Sequence, residues 1–76
     1  MKICQAAQQF KAGTLDEIQV RKNPGDINQW FVMIRKQNGD LLMLADERDE
    51  PIVDDDLTRL MSVLKSIGCR EARVFL

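Results

Sequence analysis

A chain of 76 residues, 45% hydrophobic and 30% charged, has room for one globular domain and is too apolar for intrinsic disorder. Its formal net charge of −1 supplies no bulk field to draw it to nucleic acid or acidic lipid. The longest apolar runs, WFVMI and LLMLA, reach about five residues against the ~20 of a membrane span, so no membrane partner is expected.

The opening MKICQAAQQFKAG lacks the apolar core of a signal peptide, and a cytoplasmic location is the expectation. Within it Ile3, Ala6, Ala7 and Phe10 fall at i, i+3, i+4 and i+7. That spacing predicts a short helix over residues 2–12, stopped by Gly13. Residues 16–22 then alternate, with Ile18 and Val20 against Glu17, Gln19 and Arg21, as a half-buried strand does. Asn23-Pro24-Gly25-Asp26 suits a type II turn. Residues 27–36, with Trp30, Phe31, Val32 and Ile34, form the most β-prone stretch, and Asn38-Gly39 predicts a type I′ hairpin into a returning strand over 41–45.

Beyond an acidic segment, Leu57, Leu60, Met61, Leu64 and Ile67 repeat at helical spacing and Gly68 follows. Residues 70–76 alternate again. The expected fold is therefore α+β in the order α-β-β-β-α-β. Its four-stranded, mostly antiparallel sheet is a three-stranded meander plus a C-terminal strand. That last strand arrives after a helical crossover and runs parallel to the third or the first.

Two-residue loops at both turns would pair Ile18 with Phe31, Val20 with Gln29, Met33 with Leu44 and Ile34 with Met43. Directly paired residues share a face. One face then holds Ile18, Val20, Phe31, Met33, Leu42 and Leu44. The other holds Trp30, Val32, Ile34, Met43, Ala45 and Phe75 beside Glu17, Gln19 and Arg21. Two arrangements are open: the first helix covers the Trp30 face, or both helices share the opposite face. The second is preferred, because two of the four inward positions of the first helix are alanines and offer little apolar surface. It leaves Trp30, Val32, Ile34, Met43 and Phe75 as an interface for a protein partner, in particular a second copy forming a homodimer. A one-residue slip in either turn would exchange the faces.

Seven of the twelve carboxylates lie in DERDEPIVDDD, residues 46–56. A calcium loop starting at Asp54 would need glycine at its sixth position and glutamate at its twelfth, where Arg59 and Lys65 stand. Asp54 or Asp55 is instead expected to cap the second helix. Asp46, Glu47, Asp49 and Glu50 form a charged loop suited to a basic partner. With no histidine, no tyrosine and no phosphate-cradling glycine loop, neither an enzyme nor a cofactor, metal or small-molecule substrate is expected. Cys4 and Cys69, without histidine or a CxxC pair, cannot make a conventional zinc site and are expected to be reduced and buried.

The helix-strand-strand-strand-helix order resembles that of double-stranded-RNA-binding domains. That family places a lysine-rich segment at the start of its second helix, where this chain reads DDDL. Basic residues come as Arg21-Lys22, Arg35-Lys36 and Arg70 with Arg73, and the first two pairs are expected at opposite ends of the hairpin, about 26 Å apart. Nucleic-acid binding is thus the alternative to a non-enzymatic interaction or adaptor domain, not the favoured reading.

Overall fold

A computed structural model describes residues 1–76 as a single small α+β domain with both helices on one side of a mixed sheet. The elements are α1 (Ile3–Ala12), β1 (Leu15–Asn23), β2 (Asp26–Lys36), β3 (Leu41–Met43), β4 (Val53–Asp54), α2 (Leu57–Ser66) and β5 (Arg73–Val74). The order is the expected one, apart from the additional two-residue strand β4. The sheet runs β3-β2-β1-β5, antiparallel except that β5 lies parallel to β1, and β4 also pairs with β2. No helix is long and apolar enough to cross a membrane.

Helical spacing put the inward residues of both helices where the packing needs them. Ala6, Leu60, Leu64 and Ile67 are buried, with Ile3, Ala7, Phe10, Leu57 and Met61 packed against them. Gly13 and Gly68 end the helices at φ 73° and 99°, in the left-handed region open to glycine. Gly68 N–H donates to Lys65 C=O and Cys69 N–H to Leu64 C=O, which closes the last turn of α2.

The hairpins depart from expectation. Gly25 has no positive φ, so its turn is not type II. Asn23 still pairs with Asp26, but the next pair is Lys22 with Trp30, so residues 27–29 bulge out of β2. The second turn is a three-residue loop, residues 37–39. Lys36 N–H donates to Asp40 C=O, Gly39 N–H donates to Lys36 C=O, and only Gly39 is left-handed. Ile18 therefore faces Ile34, Val20 faces Val32, and Met33 faces Met43.

This register turns β2 over relative to its neighbours. Val32 and Ile34 are fully buried with Ile18 and Val20 beneath the two helices. Phe31 and Met33 take the opposite face. Burying Val32 and Ile34 instead of Phe31 and Met33 puts β-branched side chains, stiff at χ1, against the helices.

Candidate interaction surface

Neither helix covers the second face of the sheet. In rows across the strands it reads Glu17, Arg35 and Leu41; then Arg73, Gln19, Met33 and Met43; then Arg21, Phe31 and Val53. Phe75, whose N–H donates to Val20 C=O, extends the third row beyond Arg21. The β2 side and its β3 and β4 edge are apolar; the β1 and β5 side is polar. Leu41, Met43 and Val53 keep 48%, 38% and 42% of their surface in solvent, and Phe31 and Met33 are half-buried.

β3 and β4 follow one another along the same edge of β2, opposite Arg35–Met33 and then Phe31–Trp30. Residues 44–52 loop out between them. The apolar stripe from Leu41 to Val53 thus spans four residues of β2, about 13 Å, and two strands, about 10 Å.

The polar half is satisfied within the chain. Arg35 meets Asp16 at 3.0 Å and Glu17 at 2.8 Å, and Arg73 meets Glu17 at 3.3 Å. Gln19, buried at the centre, donates to Glu17 and accepts from Arg21, each at 3.0 Å. The Arg21 guanidinium lies 4.0 Å from the centroid of the Phe75 ring, a cation–π stack.

Of the residues expected at the interface, Met43 and Phe75 lie on the open face. Val32 and Ile34 do not: they are core, because the bulge at 27–29 and the three-residue loop at 37–39 shift the register on both sides of β2. Trp30 shares their side of the strand and packs, half-buried, against the core, with Lys22 Nζ 5.5 Å from its ring. Phe31, Met33, Leu41 and Val53 complete the face. Leu41 was expected in the returning strand but assigned to neither face, and no local signal marks Val53 as part of a strand. Arg21 and Arg35 are also closer than the expected register put them, about 13 Å apart along the strands, while Lys22 turns to the helix side.

The acidic run is mostly structural. Asp46 Oδ1 accepts the N–H groups of Arg48 and Glu50, folding residues 46–50 into a tight loop with Asp49 at φ 65°. Glu47 reaches the start of α1, where it accepts Cys4 N–H at 3.1 Å and the Cys4 thiol at 3.2 Å. Glu47, Asp49 and Glu50 are all exposed, and of these only the Asp49 and Glu50 side chains are free of hydrogen bonds within the chain and open to a basic partner. The cap of α2 is Asp56, not Asp54 or Asp55; it accepts Thr58 and Arg59 N–H. Asp54 instead takes both arms of Arg59, at 2.8 and 2.9 Å. The hydrogen bonds from Arg59 hold its carboxyl down at about 2, and the same pairing raises the Arg59 pKa.

Cys69 is buried as expected, and Cys4 is exposed. The Cys4 thiol pKa is pushed up, chiefly by its hydrogen bond to Glu47, and burial pushes up that of Cys69. An open cleft of about 1250 Å³ lies between α1, the start of β1 and the segment leading into β5. Phe10, Leu15 and Ile67 form its apolar floor and Lys11, Arg70 and Glu71 its rim, and neither cysteine lines it. Comparison with protein-family models, with curated proteins and with solved structures finds no match at any of the three levels.

Proposed function

We propose that the chain is a small non-enzymatic interaction or adaptor module that docks protein through the uncovered face of its sheet. One observation carries this reading: Phe31, Met33, Leu41, Met43 and Val53 form a continuous apolar stripe that neither helix covers. Aromatic residues and methionine are the types enriched in the buried centre of protein interfaces. The non-catalytic part of the reading rests on the side-chain inventory. The chain has no histidine, and both thiols are held in their protonated, less nucleophilic form. A cytoplasmic location is proposed on the two unpaired cysteines.

A photo-reactive amino acid placed at position 43 tests the docking face in cells, with position 65 on the solvent side of α2 as control. Position 43 should give a discrete protein adduct that position 65 does not. Equal labelling from both would remove the reading.

Nucleic-acid binding remains the second reading on one specific observation. Arg21, Arg35 and Arg73 share the open face with Phe31 and Phe75, and aromatic rings with arginines make a stacking platform for single strands. Glu17 and Asp16 neutralise two of the three arginines, which ranks this below protein docking. Binding of labelled single strands that weakens steeply with added salt would promote it.

A further inference from the structure

We infer that the cleft beside α1 receives an extended, acidic segment of a partner protein, which adds to the free edge of β1 as a short strand. This site is separate from the open sheet face and does not rest on the docking role proposed there. β1 has nine residues, whereas β5 has two and pairs only with Gln19 and Val20. Residues 15–18 therefore have β2 on one side and the cleft on the other.

Backbone direction shows what that edge offers. Val20 C=O accepts the N–H of Phe75, so Val20 turns its backbone groups toward β5. Ile18, two positions back along a regular stretch of register, turns its N–H the same way. A longer parallel ladder would pair that N–H with Glu71 C=O, but residues 70–72 make no backbone hydrogen bond to β1. The Glu71 carbonyl instead accepts the Cys69 thiol at 3.2 Å. Ile18 N–H is left without a protein partner at a residue only 4% exposed, which is costly unless something in the cleft accepts from it. An extended peptide supplies a carbonyl at strand spacing, as in other cases of strand addition to a sheet edge.

The walls set the side chains of that segment. Ile18 points to the helix side, so every second side chain of an added strand lies over the floor of Phe10, Leu15 and Ile67. The rim sets its charge. Asp16 and Glu17 are already taken by Arg35 and Arg73. Lys11 and Arg70 have no carboxylate partner, and Glu71 is the one rim carboxylate without a cation. Two free cations against one free carboxylate favour a segment bearing acidic residues. Four residues of β1 give an edge of roughly 13 Å, so the contact is short and half-saturation is expected between about 10 µM and 1 mM.

The probe is an acetylated, amidated heptapeptide alternating glutamate and valine, titrated to about 2 mM against the isotope-labelled chain. Amide resonances of residues 15–18 and 70–72 should shift while those of Met43 and Val53 stay in place. Hydrogen exchange at the Ile18 amide should slow at least about fivefold in the complex. The same peptide with lysine for glutamate, or methylated at its three central backbone nitrogens, should bind at least about tenfold more weakly. Lys11→Glu combined with Arg70→Glu, both at exposed positions, should keep the wild-type circular dichroism spectrum and reverse the preference between the glutamate and lysine peptides. No shift at residues 15–18 up to the highest concentration overturns the inference, as does equal binding of the lysine or methylated peptide. Shifts confined to Met43 and Val53 also overturn it and leave the open-face docking standing. If position 43 gives no photo-adduct and the peptide still binds at residues 15–18, the cleft stands and the open face falls.

Discussion

Ile18 of β1 and Ile34 of β2 stand directly opposite each other, and both are sealed beneath the helices. That single pair sets which side of β2 is core. Once Ile34 points inward, Val32 follows two residues along and meets Val20, while Met33 and Phe31 are turned to the open face. A shift of one position would put Met33 under α2 and expose Ile34.

The pairing predicts an asymmetry between neighbours in the chain. Ile34→Ala should cost about 2–5 kcal/mol of folding stability, since it leaves a cavity among Ile18, Leu60 and the other core residues. Met33→Ala, half-exposed, should cost roughly 1 kcal/mol. Against the ~4–11 kcal/mol expected of a domain this size, the first is severe and the second mild. Urea denaturation measures both; equal costs, or the reverse order, would mean the register is wrong.

Both helices and the polarity of β1 were readable in the sequence because each has one apolar and one polar side. Ile3, Ala6, Ala7 and Phe10, or Ile18 and Val20 against Glu17 and Gln19, leave one way to face the core. β2 has no such contrast: Trp30, Phe31, Val32, Met33 and Ile34 are apolar on both sides, so its facing depended on counting loop residues. Asn38-Gly39 reads equally as two residues of a type I′ turn or as the end of a three-residue loop with one left-handed glycine. The bulge at 27–29 carries no residue that demands it. The meeting of Glu47 with Cys4 was hidden too, since the residues lie 43 positions apart and only the excursion at 44–52 brings them together. Hence Met43 and Phe75 were placed on the correct side, and Val32 and Ile34 were not.

Glu47 also makes a prediction about thiol chemistry. Its carboxylate accepts the Cys4 S–H and raises the thiol's pKa, so thiolate is scarce near neutral pH. Glu47→Gln removes the negative charge and keeps an oxygen for Cys4 N–H. Alkylation of Cys4 by iodoacetamide at pH 8 should become faster in the variant. A rate equal to or below wild type would show that the carboxylate does not suppress the thiol. Cys69, buried, should react only when the chain unfolds.

The three consecutive aspartates before α2 are chemically alike and structurally distinct. Only Asp56 accepts the free N–H groups of Thr58 and Arg59. Asp56→Ala should therefore cost about 1 kcal/mol, lowering the melting temperature by roughly 4–8 °C. Asp55→Ala, which loses one long contact with Arg59 at 3.4 Å, should fall within about 0.5 kcal/mol of wild type. If Asp55→Ala is the more damaging of the two, the cap has been assigned to the wrong residue.

Asp54 should be visible in acid. Its carboxyl is held at about 2 by the fork of Arg59, below the ordinary 3.8 it regains on unfolding. A group whose folded pKa is depressed stabilises the fold above its unfolded pKa, and that contribution is lost as pH falls through the folded value. Between about pH 4 and pH 2 the unfolded chain takes up a proton at this position that the folded chain refuses, so stability declines across that window. Asp54→Asn retains an oxygen for the Asp56 N–H yet cannot titrate. Denaturation at a series of pH values should show wild type more stable than the variant above pH 4, with the gap closing toward pH 2. Arg59 sits largely in solvent, so ~1 M salt should shrink the gap at neutral pH. Parallel curves for the two proteins across the acid range would mean that the Arg59 fork leaves Asp54 titrating as an ordinary carboxylate.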